Sequence, residues 1–121
     1  MANVLIVDDS RTSRRILRGI IEGMGHTVCG EAVNGEEGVR LYEELRPELV
    51  TMDITMPVMD GLTSMQKIHE IDRAAKVVMV TAVGQRNKVV ECIKEGASDY
   101  VTKPYEVSDV EKVIEKVLSK E

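Results

Sequence analysis

Short apolar runs alternate with amphipathic segments along the whole of this 121-residue chain. Five apolar runs predict buried strands over residues 4–8, 27–32, 49–53, 76–81 and 98–102. The segments that follow them repeat apolar residues with a helical period, which predicts helices over residues 12–24, 36–46, 62–71, 85–95 and 107–119. Because strands and helices alternate strictly, we predict an α/β fold in which helices cover both faces of a parallel sheet.

Apolar stripes and capping signals support the helices. The first helix carries the stripe Ile16, Leu17, Ile20, Ile21 and Met24, and the last carries Val107, Val110, Val113, Ile114, Val117 and Leu118. Asn34 with Glu37 predicts a capping box at the second helix, and Ser108 with Glu111 predicts another near the start of the last. Glycines that predict left-handed helix ends follow the first and fourth helices, at Gly25 and Gly96.

Acidic residues and one lysine stand where predicted strands end. Asp8 and Asp9 close the first strand, Asp53 closes the third, and Lys103 follows the fifth. The carboxyl ends of parallel strands share one edge, where open α/β sheets bind their ligands. Three carboxylates meeting there repel one another unless a cation such as Mg2+ compensates them. The pattern therefore indicates a protein that binds a divalent ion and handles phosphate.

Each of these residues also has an ordinary structural interpretation. Asp53 suits a phosphoryl-accepting nucleophile, or it caps a helix or forms a loop salt bridge. Asp8 and Asp9 suit metal ligation, or one of them caps the next helix. Thr81 offers a hydroxyl to a phosphoryl oxygen or is a plain strand-end residue, and Lys103 is a phosphate-binding point charge or a surface lysine. A further alternative concerns Tyr100, which is either a core aromatic or a side chain that moves between buried and exposed positions.

Composition narrows the class of protein. The net charge of -5 argues against a nucleic-acid surface. Cys29 and Cys92 suggest no disulfide framework. The residues before the first strand lack a basic region and a cleavage site, so we do not expect them to act as a signal peptide, and no apolar run reaches the roughly 20 residues that span a bilayer. We therefore expect a cytoplasmic protein.

Four segments resemble the signature segments of response-regulator receiver domains, in the family's order and spacing. They are LIVDD at 5–9, MDITMPVMDG at 52–61, VTA at 80–82 and YVTKP at 100–104. The resemblance covers nearly the whole chain, and it implies one receiver domain over residues 1–121 with no output domain. It also implies a doubly wound, flavodoxin-like sheet of five parallel strands in the order 2-1-3-4-5, with five helices.

The resemblance implies a role for each site residue. Asp53 would be the phosphoacceptor, and Mg2+ would be held by Asp8, Asp9, Asp53 and the backbone carbonyl of Thr55. Lys103 would bind the phosphoryl group.

Further residues would carry the signal. Thr81 would also contact the phosphoryl group and would form a switch pair with Tyr100. Pro104 would follow a cis peptide bond. The fourth helix, fifth strand and fifth helix would form the face that binds a target.

By resemblance, the function is that of a two-component response regulator. A CheA-like histidine kinase, or a small donor such as acetyl phosphate, would phosphorylate Asp53. Within this family, the sequence most resembles single-domain chemotaxis regulators. The target would therefore be a flagellar motor switch protein, and a phosphatase would be a further partner. We expect a monomer that catalyses its own phosphorylation and slow dephosphorylation and is not otherwise an enzyme.

Other functions remain as alternatives. A haloacid-dehalogenase-type phosphohydrolase would need an acid at the position of Thr55. An FMN carrier would bind phosphate through the hydroxyls that follow the first strand, those of Ser10, Thr12 and Ser13. Asp8 and Asp9 would repel that phosphate. A receiver that binds a partner without phosphorylation, a phosphorelay intermediate and a receiver cut from a larger regulator are the remaining alternatives. By resemblance, Thr55 and Val83 stand at positions that tune the access of water to the acyl phosphate.

Overall fold

A computed structural model describes residues 1–120, which form one parallel sheet flanked by helices. The strands are β1 (Asn3–Val7), β2 (Thr27–Ala32), β3 (Leu49–Asp53), β4 (Val77–Thr81) and β5 (Asp99–Thr102). The helices are α1 (Arg11–Gly23), α2 (Gly35–Leu45), α3 (Gly61–Ile71), α4 (Arg86–Lys94) and α5 (Val107–Leu118). Every predicted element is present, and each boundary lies within about one residue of the prediction, as expected for the fraying of element ends.

The strand order is β2-β1-β3-β4-β5, and all neighbouring strands are parallel. The predicted doubly wound order is therefore confirmed. The order reverses at β1, which lies between β2 and β3 and forms the switch point of the sheet. Val7 pairs with Met52 in the β1–β3 ladder, so the residues that come next, Asp8 and Asp53, leave the sheet side by side.

Apolar side chains fill both faces of the sheet. All residues of β3 and β4 are buried, as befits central strands covered on both sides. One core layer joins the sheet to α1 and α5 and includes Val4, Ile6, Leu17, Ile21, Val78 and Ile114. The other joins it to α2, α3 and α4 and includes Leu5, Val7, Tyr42, Met65, Met79 and Cys92. Methionines fill much of the space that Phe and Trp would otherwise occupy.

The predicted apolar stripes are too wide by one residue each. Ile16 is 49% exposed, because it precedes the buried Leu17 and its side chain is rotated about 100° around the helix from it. Val107 begins α5 and is 53% exposed, since only later residues of that helix face the sheet.

The capping box predicted at α5 is wrong, and at α2 only its Asn34 half is confirmed, because the Glu37 side chain accepts the backbone N–H of Val33 at 3.1 Å instead of that of Asn34. Helix α5 begins two residues earlier than that box requires, so Ser108 lies inside it and donates to the carboxylate of Glu106 at 3.1 Å. At α2, the backbone N–H of Glu37 donates to the Asn34 side chain at 2.8 Å. The glycine predictions also hold, because Gly25 and Gly96 have φ angles of 91° and 115°.

Two other features bear on the class of protein. Both cysteines are free thiols. Cys92 is buried on α4, while the partly buried Cys29 thiol donates to the Val4 carbonyl at 3.5 Å. Within residues 1–120, no helix combines the length and the apolar character that a membrane span requires.

The loop between β3 and α3 is folded tightly onto the end of β3. The backbone N–H of Gly61 donates to the Ile54 carbonyl at 2.8 Å. A Cβ atom at Gly61 would lie 2.1 Å from the carbonyl oxygen of Asp53, which no side chain can tolerate. Gly35 makes a similar approach, because its Cβ would lie 2.5 Å from the Met59 carbonyl oxygen. These close contacts fix the backbone that carries Asp53.

We expect Gly61→Ala to lower the free energy of unfolding by about 3 kcal/mol or more, because the methyl group displaces the Asp53 backbone. Gly19→Ala is the matched control: nothing lies within 4 Å of its Cβ position on α1, so alanine should stabilise the protein by about 0.5–1 kcal/mol. Urea unfolding of both variants measures this. Equal stabilities of Gly61→Ala and the parent protein would contradict the close contact.

Candidate functional site

Three carboxylates converge at the carboxyl edge of the sheet. The backbone N–H of Asp8 donates to the Ala32 carbonyl at 3.0 Å, which extends β1 by one residue, and Asp53 is the last residue of β3. Asp8 is 1% exposed and Asp53 is 7% exposed, while Asp9 is exposed to solvent. One oxygen from each of these three side chains lies within 4.8 Å of the others. The structure thus brings together the three acids that the sequence places at strand ends.

Lys103 reaches the same point from the loop after β5. Its backbone N–H donates to the Thr81 carbonyl at 2.8 Å, and its peptide bond to Pro104 is cis. The Lys103 ammonium lies 3.0 Å from Asp8 Oδ2 and 3.4 Å from Asp53 Oδ2. A single positive charge therefore bridges two of the three carboxylates.

The pKa values of the two buried acids, Asp8 and Asp53, are shifted in opposite directions by their surroundings. Burial and the neighbouring charge of Asp8 raise the pKa of Asp53 to about 6, against the opposing effect of Lys103. Burial also disfavours ionisation of Asp8, but hydrogen bonds from Ser13, Ser10 and Lys103 outweigh it and lower the Asp8 pKa. The Lys103 pKa is raised, because its contacts with the two carboxylates outweigh its burial. Asp8 is thus the acid that ionises more readily, and its negative charge disfavours ionisation of Asp53.

The donor set fits Mg2+. All three side chains offer oxygen, the ligand that this hard cation prefers. Lys103 compensates only part of the negative charge, and among the described residues Asp9 forms no ion pair. Thr55, whose backbone carbonyl is the fourth predicted ligand, lies two positions after Asp53 in the β3–α3 loop and is exposed to solvent.

Thr81 ends β4, and its hydroxyl is turned toward the start of α4. The hydroxyl oxygen is 3.2 Å from the Ala82 carbonyl and 3.1 Å from the side-chain oxygen of Gln85. That Gln85 oxygen also accepts the Ala82 N–H at 2.7 Å, and the Gln85 amide donates to the Thr55 hydroxyl at 2.6 Å. The Gln85 side chain therefore ties together the ends of β3 and β4, next to the carboxylates.

Tyr100 points away from the core. Its side chain on β5 is 45% exposed, so the interpretation of Tyr100 as a core aromatic is wrong. It borders a groove of about 600 Å³ between β5 and α4, which is also lined by the exposed apolar side chains of Val83, Val90 and Ile93. Thr81 lines the inner end of the same groove.

Four residues that contact the site were missed by the sequence analysis as functional residues. The Ser13 hydroxyl donates to Asp8 Oδ2 at 2.6 Å and lies 2.8 Å from the Tyr105 hydroxyl. Arg14 donates to the Asp8 carbonyl at 2.8 Å, and Gln85 bridges Thr55 and Thr81. The sequence offers Ser13 only as part of a phosphate-cradling loop. No spacing rule predicts the other three, because their contacts depend on how α1, α4 and the β5–α5 loop sit on the sheet.

This chain is similar in sequence and in structure to known proteins. Residues 4–115 match the family described as the response regulator receiver domain. Chemotaxis protein CheY of Thermotoga maritima is 47% identical over 114 residues, which are 94% of this chain and 95% of that protein. Chemotaxis protein CheY of Listeria monocytogenes is 43% identical over 116 residues, 96% of this chain and 98% of that protein. The crystal structure of a CheX-CheY-BeF3-Mg2+ complex from Borrelia burgdorferi aligns with a TM-score of 0.92 at 38% identity, covering 98% of this chain and 90% of that one.

The raised pKa of Asp53 predicts a pH-dependent stability. Between the ordinary value of 3.8 and about 6, folded Asp53 holds a proton that the unfolded chain has released. The free energy of unfolding therefore falls as the pH rises through this window. Without Mg2+, we expect Asp53→Asn to raise the free energy of unfolding at pH 7 by on the order of 2 kcal/mol.

Urea unfolding at several pH values tests this expectation. The advantage of Asp53→Asn should disappear below about pH 4, where Asp53 is protonated in both states. Addition of Mg2+ at pH 7 should stabilise the parent protein more than the variant. A variant that is no more stable than the parent at pH 7 would show that Asp53 experiences no net repulsion.

Proposed function

This chain belongs to the response-regulator receiver domain family, and from that premise we propose that it accepts a phosphoryl group on Asp53 from a histidine kinase and then binds a downstream target. The observation that carries the proposal is the buried Asp53 carboxylate, 3.4 Å from the Lys103 ammonium and clustered with Asp8 and Asp9. A carboxylate that lies beside a positive charge and beside oxygen ligands for a cation supports the assignment of Asp53 as the nucleophile. In this proposal the receiver domain comprises residues 1–121.

The proposed reaction transfers a phosphoryl group between two side chains. An ionised oxygen of Asp53 attacks the phosphorus of a phosphohistidine. An O–P bond forms as the N–P bond breaks, and the released imidazole takes up a proton. Because the pKa of Asp53 is raised, positive charge near this carboxylate favours the reactive anion. The product is an acyl phosphate on Asp53, and acetyl phosphate would serve as a small donor in the same way.

The other polar residues neutralise charge on the transferring group. Asp8, Asp9, Asp53 and the Thr55 backbone carbonyl would hold the cation. Mg2+, when bound, supplies positive charge that offsets the charge on the phosphoryl oxygens. Lys103 would exchange its carboxylate contacts for a phosphoryl oxygen, which its flexible side chain allows.

Phosphorylation would then shift an equilibrium between two conformations. The Thr81 hydroxyl would leave Gln85 and donate to a phosphoryl oxygen. Gln85, the N-cap residue of α4, would then lose its hydrogen bond from the Thr81 hydroxyl. The exposed Tyr100 ring would turn into the space that Thr81 vacates, which remodels the groove beside α4. Such a change needs only a difference in affinity between two states that already exist.

We place the proposed function in chemotaxis. The relatives reported above bear the name CheY, and the Borrelia structure shows a CheY bound to CheX. The target-binding face would comprise α4, β5 and α5, where Val90, Ile93, Tyr100 and Val107 expose apolar surface. A CheA-like kinase would be the donor, a flagellar motor switch protein the target, and a CheX-like protein or a phosphatase a further partner. Catalysis would be confined to the chain's own acyl phosphate.

Incubation with acetyl phosphate tests the chemistry. We expect intact mass spectrometry to show a gain of roughly 80 Da that requires Mg2+, because Asp53 takes up one phosphoryl group. Asp53→Asn should show no gain under the same conditions. Absence of any gain in the parent protein, even with rapid quenching, would refute phosphoryl acceptance and leave a phosphorylation-independent binding module.

Binding of a motor-switch peptide tests the pathway. We expect the phosphorylated protein to bind such a peptide about tenfold or more tightly than the unphosphorylated protein, as is typical of a coupling between two sites. Fluorescence anisotropy of a labelled peptide measures the Kd of each form. Equal Kd values would argue against the chemotaxis assignment while leaving the phosphorylation chemistry intact.

A further inference from the structure

A chain of two hydroxyl groups ends on Asp8, the most buried acid of the site. The Ser13 hydroxyl oxygen lies 2.6 Å from Asp8 Oδ2 and 2.8 Å from the Tyr105 hydroxyl oxygen. We propose that Ser13 and Tyr105 are positioning residues that hold the Asp8 carboxylate in one orientation and so raise the affinity of the site for Mg2+. This inference rests on the proposed function, because it concerns the same metal site.

The proton positions in this chain follow from its chemistry. An ionised carboxylate can only accept hydrogen bonds, so the single Ser13 proton points to Asp8 Oδ2. The Ser13 oxygen then has only lone pairs to offer Tyr105, and the Tyr105 hydroxyl must be the donor of that bond. The chain therefore runs in one direction, from Tyr105 through Ser13 to Asp8. Each donated bond polarises the next, which strengthens the bond that reaches the carboxylate.

The fold holds both hydroxyls firmly in place. Ser13 lies in the first turn of α1, where it is buried and its backbone N–H donates to the Ser10 cap at 3.2 Å. Tyr105 is half-buried two residues after Lys103, and its ring packs against the core layer under α1 and α5. The hydroxyl chain thus joins α1 to the β5–α5 loop across the site.

These bonds orient Asp8 independently of Lys103. Asp8 Oδ1 accepts the backbone N–H of Ser10 at 2.8 Å, and Oδ2 accepts the Ser13 hydroxyl. In the proposed reaction, Lys103 leaves Asp8 for the phosphoryl group. Ser10 and Ser13 then still fix both oxygens, so the carboxylate does not rotate when its ion pair is lost. Groups that orient metal-binding carboxylates in this way commonly change metal affinity by 10–100-fold.

Removal of either hydroxyl should therefore weaken Mg2+ binding. Ser13→Ala removes the donor to Asp8 Oδ2, and we expect its Kd for Mg2+ to rise about tenfold. Tyr105→Phe keeps the ring and removes only the hydroxyl, so a rise of about threefold is expected from the loss of one supporting hydrogen bond. Ser13→Thr, which retains a hydroxyl, should recover most of the affinity that Ser13→Ala loses.

Isothermal titration calorimetry with MgCl2, on the full chain and without a phosphodonor, measures these affinities. Tyr42→Phe is the matched control, because the Tyr42 hydroxyl donates to the Asp72 carboxylate at 3.0 Å, away from the site, and its loss should leave the Kd unchanged. In a Ser13→Ala background, Tyr105→Phe should cause no further rise, since Ser13 is its only route to Asp8. Urea unfolding of every variant verifies that it is folded.

Each outcome decides the matter. Parental Kd values in both Tyr105→Phe and Ser13→Ala would overturn the inference and leave the proposed function standing. Full, additive effects in the double variant would also overturn it, because the two hydroxyls would then act independently. A parent protein that binds no Mg2+ would overturn the metal site itself, and with it both proposals.

Discussion

Electrostatic repulsion among Asp8, Asp9 and Asp53 is the constraint around which the molecule is arranged. The parallel sheet forces these carboxylates together, because β1 and β3 pair in register and leave the sheet side by side. Their separation cannot relax without breaking that register, since a shift would expose buried strands. One ammonium, that of Lys103, spans two of the charges. The remaining electrostatic repulsion favours the binding of a cation at this site.

The architecture and the acidic cluster could be predicted because each follows from a regular pattern. Alternating apolar runs and helical stripes define the order of the elements, and parallel strands send their last residues to one edge. Asp8, Asp53 and Lys103 meet for that reason alone. The contacts of Ser13, Tyr105 and Gln85 could not be predicted, because they depend on the rotation of helices and the path of loops. For the same reason, spacing could not tell that Tyr100 and Ile16 point outward.

The Gln85 side chain connects residues next to the acidic cluster with the start of α4. It contacts Thr55, two residues after Asp53, and Thr81 at the end of β4, and it is also the N-cap residue of α4. Any rotation of Thr81 toward Asp53 must break a hydrogen bond at the N-terminus of this helix. In the proposed function, a local change in hydrogen bonding would reach α4 through adjoining residues, without a long path through the core.

Helix α4 is attached to the rest of the molecule more lightly than α3. Only Val89 and Cys92 are buried along its nine residues, and no side chain caps its first turn. By contrast, Asp60 caps α3, and the tight approach of Gly61 to β3 holds its start. Local opening is cheapest where few apolar side chains are buried, so the amide hydrogens of α4 should exchange with solvent through openings that leave the other helices intact. The face beside α4 is therefore a unit that opens separately, and a small free energy can rearrange it while the rest of the fold stays intact.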